Sequence, residues 1–154
     1  MKRNNKKRGF TLIEVLLVIG IIAVVAGTAL AAINPARQFK VARDSQRTSQ
    51  VAAILNAVGQ NISENKGVLK CGGASTAIPA TSTLMKSSGG FDIAPCIVPT
   101  YMASMPFDPN APGASYASNS SYDTQYTIAR DGNDRITIAA PGTEIESPLI
   151  SVTR

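Results

Sequence analysis

The sequence predicts an α+β fold, in which a long N-terminal α-helix precedes a small antiparallel β-sheet. The helix is predicted to be apolar in its first half and amphipathic in its second half, which packs on the sheet. Three observations support this: a charge-free apolar run, a helical stripe of apolar residues after it, and β-branched segments separated by turns in the last third. A length of 154 residues allows one domain with a modest core.

The composition limits the chemistry that is available to the chain. Charged residues make up 16%, below the roughly 25% of typical soluble proteins, which argues against a disordered tail. The sequence contains no His, which excludes Ser-His-Asp and Cys-His catalysis and zinc sites that need His. It also lacks a phosphate-binding loop and a nucleophile elbow. We therefore expect no enzymatic activity, no cofactor and no metal.

The net charge of +5 is concentrated in residues 1–9, which hold five cations and no acid. The other 145 residues carry ten basic and ten acidic side chains. A basic stub before an apolar run keeps the N-terminus on the cytoplasmic side of a membrane. A nucleic-acid arm would need further basic or aromatic residues behind it, and none follow, so nucleic acid is not predicted as a primary partner.

Residues 15–33 form the apolar run, nineteen residues without a charge. That length meets the transmembrane criterion of about 18–20 residues. A cleaved secretory signal is the alternative, and Ala29-Leu30-Ala31 imitates its cleavage site. Such signals have a shorter apolar core of about 7–15 residues, so a retained membrane helix is favoured.

Glu14 lies at the start of this run, where a carboxylate costs about 2.5–3.5 kcal/mol on insertion scales and needs a partner. Residues 10–36 contain no cation. One interpretation is that Glu14 reaches water at the headgroups. In the other, cleavage after Gly9 leaves an α-ammonium on Phe10, four residues away on one helical face. The ammonium of one subunit then meets Glu14 of a neighbour.

The segment from Gly9 to Glu14 has a specific resemblance. Behind a basic leader and ahead of about twenty apolar residues, it resembles the prepilin signal of the type IV pilin and type II secretion pseudopilin superfamily. The motif reads Gly9-Phe10-Thr11-Leu12-Ile13-Glu14. The resemblance implies that a prepilin peptidase cuts between Gly9 and Phe10 and N-methylates Phe10. It also implies that Glu14 sets the axial register of each subunit in a helical filament.

The apolar helix departs from the family pattern in one respect. Many pilins carry a Pro within it, whereas the first Pro here is Pro35 and the helix contains Gly20 and Gly27. Each Gly lowers helix stability by about 1 kcal/mol relative to Ala. Whether the helix loosens between these two glycines stays open.

Asn34-Pro35 predicts a break or a kink in the helix, and Pro35 is also a good first residue for a restart. An apolar stripe then follows at helical spacing. Its members are Val51, Ile54, Leu55, Val58 and Ile62. Four cations precede the stripe, with an interleaved acid; they are interpreted either as contacts to neighbouring subunits or headgroups, or as a solvated face. They are Arg37, Lys40, Arg43 and Arg47.

Residues 63–154 are rich in Gly, Pro, Ser and Thr, and residues 67–90 are predicted to be a loop. If the positive-inside rule holds, this part is extracytoplasmic, where a disulfide between Cys71 and Cys96 is favoured over two free thiols. Asn61 and Asn119 begin glycosylation sequons. For both sequons an exposed linker is the favoured interpretation.

Strands are predicted at residues 122–129 and 135–140, joined by a hairpin with an Asp131-Gly132 step. A short strand at 149–152 and an edge strand at 114–117 complete the sheet. Several acids here, including Asp108, could supply oxygen ligands for calcium. The Asp/Asn/Gly segment lacks the ligand spacing of an EF-hand and is interpreted as a turn, so no metal is predicted.

The predicted organisation is a leader at 1–9, a transmembrane and filament-core helix at 10–33, its amphipathic continuation at 34–62, and an extracytoplasmic head at 63–154. The predicted function is a structural subunit of an extracellular type IV pilus-like filament. Its partners are other copies of itself, the prepilin peptidase, the pilus assembly machinery and, before assembly, the inner membrane. The alternatives are a pseudopilin of a secretion or DNA-uptake machine and, less favoured, a membrane-anchored enzyme.

Overall fold

The computed structural model describes residues 9–145 and 148–154 of the chain, with the side chains of residues 31–33 left out. The chain divides into two compact units, one ending at Phe39 and the other beginning at Lys40. The order of elements is α+β, a long apolar helix followed by a second helix and small antiparallel sheets. The predicted fold class is confirmed.

Helix α1 spans Leu12–Ile33 and begins after Thr11, whose extended backbone and side-chain oxygen cap it. The described side chains of α1, residues 12–30, are all exposed. The stretch Leu12–Leu30 has a mean hydropathy of 2.6. By length and composition this stretch can cross a membrane, a test that an N-terminal signal sequence also passes.

Helix α2 spans Pro35–Glu64 and follows a single non-helical residue. Asn34 has the left-handed backbone conformation (φ 45°, ψ 77°). Its side-chain oxygen accepts a hydrogen bond from Arg37 N at 3.3 Å, which caps the new helix. The predicted break and restart at Asn34 and Pro35 is confirmed.

The strands and the third helix are short, apart from one ten-residue strand. They are β1 (Lys70–Cys71), β2 (Ala74–Ser75), β3 (Thr83–Lys86), α3 (Ala94–Ile97), β4 (Ser115–Ser118), β5 (Ser121–Arg130), β6 (Ile136–Ala139) and β7 (Ser151–Thr153). The first two form a small antiparallel pair. The larger sheet is antiparallel, with strand order β3-β5-β6-β7 and with β4 also paired to β5.

The core of the second unit is built from α2 and alternate residues of the sheet. The predicted apolar stripe is buried at Val51, Ile54, Leu55 and Val58, and partly buried Ile62 packs against the same core. Strand β5 alternates buried and half-buried positions. Its buried residues are Tyr122, Thr124, Tyr126 and Ile128. This alternation is the period of a strand with one buried face.

The hairpin between β5 and β6 forms where it was predicted. Arg130 pairs with Ile136 across the turn, and Asp131 Oδ1 accepts hydrogen bonds from Asn133 N and Arg135 N, both at 2.9 Å. The side chain of Asp131 thus adds Asx-type hydrogen bonds to the backbone bonds of the turn, in which Asp131 N donates to Arg135 O at 2.9 Å.

Two strand predictions need correction. Residues 67–90 are not all loop, because they contain β1, β2 and β3. Strand β3 has four residues among Ser and Gly neighbours, too short for an alternating pattern, and it is defined by its pairing to β5. The last strand is Ser151–Thr153 rather than 149–152, while Ile150 O still accepts a hydrogen bond from Ala140 N at 2.9 Å.

Candidate functional site

The predicted cleavage point lies outside the helix. Gly9 and Phe10 both precede α1 and are exposed, and the Phe10 side chain is 82% accessible. The peptide bond between them is therefore free of the helical hydrogen bonds that begin after Thr11. A protease that binds an extended backbone can reach this bond without unwinding α1.

Thr11 and Glu14 together begin the helix. Thr11 Oγ1 accepts a hydrogen bond from Glu14 N at 3.3 Å, and Thr11 O accepts from Glu14 N and Val15 N at 3.1 and 3.2 Å. Thr at the cap with Glu three residues later is the spacing of a capping box. A carboxylate in the first turn also interacts favourably with the helix dipole. The hydrogen bonds to Thr11 come from the backbone N–H of Glu14, so the carboxylate contributes to the start of the helix through its charge. Sequence reasoning missed this position of Glu14 in the first helical turn, although the Thr-x-x-Glu spacing signals it.

Because α1 begins at Leu12, Phe10 is not on the helical face of Glu14 in the full-length chain. The argument that residues four apart share a face applies only once the helix extends back to Phe10. The pairing of a Phe10 ammonium with Glu14 of a neighbour therefore stays a prediction about the processed subunit.

In the second unit, Cys71 and Cys96 form a disulfide, and the described residues contain no free cysteine. Cys96 is buried and Cys71 is half-buried. Next to them, Asn61 is 2% exposed and donates through Nδ2 to two backbone carbonyls. Its interpretation as part of an exposed linker with a glycosylation sequon is wrong, since a glycan must attach at this buried nitrogen.

The basic segment of α2 contains a buried ion cluster, which neither sequence interpretation anticipated. Arg47 is 1% exposed. Its guanidinium donates to both carboxylate oxygens of Asp108 at 2.8 Å, to Asp44 at 2.8 Å and to Glu144 at 3.0 Å. Arg43 donates to both oxygens of Glu144 at 2.6 and 2.7 Å. Arg47 therefore belongs to the internal packing of the second unit, and Arg43, whose side chain is 28% exposed, lies at the edge of the same cluster and pairs within the chain.

Two carboxylates of the cluster also accept hydrogen bonds from backbone N–H groups. Asp44 accepts hydrogen bonds from Glu144 N and Ile145 N, the shortest at 2.8 Å. Asp108 Oδ1 accepts from Asn110 N and Ala111 N, both at 2.8 Å. Three segments distant in sequence therefore meet at Arg47: the first half of α2, the loop before β4 and the segment after β6.

The pKa values of the cluster follow from these contacts. Hydrogen bonds from Arg43 and Arg47 lower the pKa of Glu144 to about 2, against the effect of desolvation. Burial alone would raise the pKa of Asp108, but the bonds from Arg47 and from two backbone amides outweigh it and leave that pKa lowered. The bond to Asp108 raises the pKa of Arg47. For Glu144, Asp108 and Arg47 alike, the shift in pKa favours the charged form of the side chain.

Asp108, one of the oxygen ligands considered for calcium, is engaged by a guanidinium and two amides instead. Within residues 9–145 and 148–154 no group of three or more His, Cys, Asp or Glu side chains is arranged to hold a metal ion. Sequence reasoning missed the cluster because ion pairs across about sixty or a hundred residues leave no local pattern.

Residues 4–30 match the family model of the prokaryotic N-terminal methylation motif. The match includes Gly9, Phe10, Glu14 and most of α1, and it excludes the second unit. A search of curated proteins and a search of solved structures each gave no match to the chain. This motif is the prepilin signal of type IV pilins and pseudopilins, so the predicted resemblance is confirmed and indicates a pilin-like or pseudopilin protein.

Proposed function

We propose that this chain is the structural subunit of an extracellular type IV pilus-like filament, and that it polymerises through its N-terminal helix after the leader is removed. The observation that carries the proposal is the methylation motif at residues 4–30 continuing into an apolar helix with exposed side chains. Before assembly the chain is a single-pass protein of the inner membrane. The basic residues of the leader keep its N-terminus in the cytoplasm.

The exposed apolar surface of α1 requires an apolar environment. Lipid supplies it in the precursor, and neighbouring copies of the same helix supply it in a filament. Moving from lipid to a helix bundle gives little hydrophobic gain, so packing and polar contacts must drive and align the assembly. Glu14 is the one acidic residue in α1, and we assign it the alignment, through the Phe10 ammonium of a neighbouring subunit.

Processing precedes assembly in this scheme. The prepilin peptidase cuts the exposed bond between Gly9 and Phe10 and methylates the new amino group. The assembly machinery then extracts the subunit from the membrane. The head, which is cross-linked by Cys71 and Cys96, forms the outer surface of the filament. No catalytic role is proposed for it.

The test is electron microscopy of filaments sheared from the cell surface, combined with mass spectrometry of their protein. We expect this chain in the filaments, beginning at an N-methylated Phe10. A mature chain that begins near Ala32 would show a cleaved secretory signal and overturn the proposal. Correct processing without surface filaments would identify a pseudopilin of a secretion or DNA-uptake machine instead.

A processing control is available at the residue before the cut. Gly9→Val adds bulk to the residue before the bond and leaves α1 unchanged, since Gly9 precedes the helix and has open space around it. We expect this variant to reach the membrane with its leader attached and to give no filaments. Filaments from the uncleaved variant would show that cleavage is not required.

A further inference from the structure

The buried side chain of Asn61 connects the two cysteine segments to the end of α2. Its Nδ2 donates one hydrogen bond to Lys70 O at 2.8 Å and another to Cys96 O at 2.6 Å. Its Oδ1 accepts a hydrogen bond from Lys70 N at 2.9 Å. One amide thus binds both backbone groups of the residue before Cys71 and the carbonyl of Cys96 itself.

These contacts hold segments that are 25 residues apart in sequence. Lys70 is fixed through its N–H and its C=O, so the start of β1 cannot rotate without breaking both bonds. Cys96 is fixed from the other side, because its own N–H donates at 2.9 Å to the carbonyl of Ile93, the residue that caps α3. All of these are bonds of backbone and amide groups, and none requires the sulfur–sulfur bond.

We propose that Asn61 is a positioning residue for formation of the disulfide between Cys71 and Cys96. In the reduced, folded head it keeps the two thiols adjacent. The two cysteine segments are therefore already ordered before the disulfide forms. This raises the effective concentration of one thiol at the other, which sets both the rate and the equilibrium of ring closure.

The reaction is a two-step thiol–disulfide exchange with a small or protein disulfide as the oxidant. The half-buried Cys71 loses its proton and attacks the oxidant, which forms a mixed disulfide and releases one thiol. Cys96, 4% exposed, then loses its proton and attacks the Cys71 sulfur, which releases the second thiol. Two electrons pass from the cysteines to the oxidant, and its two thiols take up the two protons. Asn61 acts on the second step.

The experiment measures the redox equilibrium of the full chain in detergent micelles, with mixtures of reduced and oxidised glutathione as the probe. Thiol alkylation and mass spectrometry count the reduced, mixed and closed forms. We expect Asn61→Ala to shift the equilibrium about tenfold toward the reduced forms, because the two cysteine segments are then no longer held together in the reduced chain and ring closure must order them. We also expect glutathione to accumulate on Cys71.

The matched control is Ile138→Val, which removes one buried methylene from β6 and destabilises the head by a comparable amount. We expect wild-type redox behaviour from it. The same shift in both variants, or no shift in Asn61→Ala, would overturn the proposal and leave Asn61 a packing residue.

Two further measurements remain valid if Asn61→Ala fails to fold. Asn61→Asp keeps the size of the side chain and the acceptor for Lys70 N but loses both donated bonds, and should shift the equilibrium in the same direction. In the reduced wild-type chain, NMR should show the Nδ2 protons of Asn61 still protected from exchange. Unprotected protons would mean that the disulfide positions Asn61, which is the reverse of the proposal.

Discussion

Arg47 holds Asp108 with two parallel hydrogen bonds, from Nε to Oδ2 and from Nη2 to Oδ1, both 2.8 Å long and both shielded from solvent. This paired geometry is the one for which a guanidinium is better suited than an ammonium. Asp108 N also donates to Thr124 O at 3.0 Å, so the pair ties α2 to the loop before β4 and, through that loop, to β5. The contact joins residues 61 positions apart.

Replacing Arg47 with Met is expected to destabilise the second unit by about 3–5 kcal/mol, because it leaves buried carboxylates without their counter-ion. The measurement is urea denaturation of the full chain in detergent micelles, followed by the near-ultraviolet signal of the head tyrosines. Arg37→Met is the matched control, since Arg37 is exposed on the same helix. We expect that substitution to change the free energy of unfolding by less than about 0.5 kcal/mol.

Arg47→Lys separates charge from geometry at the same position. It keeps the positive charge but loses the fork that binds Asp108, so we expect a destabilisation between those of the control and Arg47→Met. Wild-type stability in Arg47→Lys would show that net charge alone holds the cluster.

The carboxylate of Asp108 occupies the space that a side chain at Gly142 would need. A Cβ at this position would lie 2.6 Å from Asp108 Oδ2 and 3.3 Å from Arg47 Nη2. The carboxylate is held by four hydrogen bonds and cannot move aside cheaply. We therefore expect Gly142→Ala to cost about 1–3 kcal/mol by overpacking, measured as the shift in the urea midpoint.

The control for Gly142 is Gly132→Ala in the β5–β6 turn, where a Cβ meets nothing within 4 Å. The same chemical change there should leave the urea midpoint within experimental error of the wild type. An equal loss in both variants would show that Ala is disfavoured for a reason other than contact with Asp108.

The cluster also predicts how stability depends on pH. The pKa of Glu144 is about 2 in the folded head, below its ordinary value of about 4.5 in an unfolded chain. Between these values the unfolded chain binds more protons, so stability must fall as the pH drops from about 4.5 towards 2. The lowered pKa of Asp108 acts in the same direction.

Arg43→Met removes the main cause of the low pKa of Glu144 and should narrow this acid-sensitive window. We expect the variant to be less stable than the wild type at pH 7 and to lose less stability between pH 4.5 and 2. Lys66→Met removes one exposed cation elsewhere and serves as the charge-matched control. Identical acid profiles for the wild type and Arg43→Met would contradict the assignment.

Much of this fold follows from local patterns in the sequence. Four members of the apolar stripe of α2 are fully buried, and the Asp131-Gly132 step marks a real hairpin, because period and turn chemistry are properties of neighbouring residues. The restart at Pro35 is likewise local. Strand β3 has no such local signal, because its four residues are defined by pairing with a strand about forty positions away.

The ion cluster could not be predicted from the sequence for the same reason, because several of its members are distant from one another in the chain. Arg43 and Arg47 lie four residues apart beside Asp44, which in sequence looks like an ordinary charged helix face. Their other partners are Asp108 and Glu144, and only the tertiary fold brings those carboxylates to the helix. Conversely, the methylation motif is recognisable because its characteristic residues are contiguous, from Gly9 to Glu14.

Substitutions can separate the start of the helix from the contact that we assign to Glu14. As the third helical residue, Glu14 donates its backbone N–H to the Thr11 cap, and its carboxylate lies in the first turn; its proposed contact is with the next subunit. Thr11→Ala removes the cap, at a cost of about 1 kcal/mol in helix stability, and keeps the carboxylate. Glu14→Gln keeps the shape of the side chain and removes its charge.

We expect Glu14→Ala and Glu14→Gln to insert into the membrane normally and to give few or short filaments, because each new subunit lacks the charge that aligns it. Thr11→Ala should give near-normal filaments. Immunoblots of membrane and sheared-filament fractions measure the two steps separately. Normal filament yield in both Glu14 variants would remove the alignment role. A loss of filaments in Thr11→Ala equal to that in the Glu14 variants would mean that the start of the helix, and not a charge pair with a neighbour, limits filament yield.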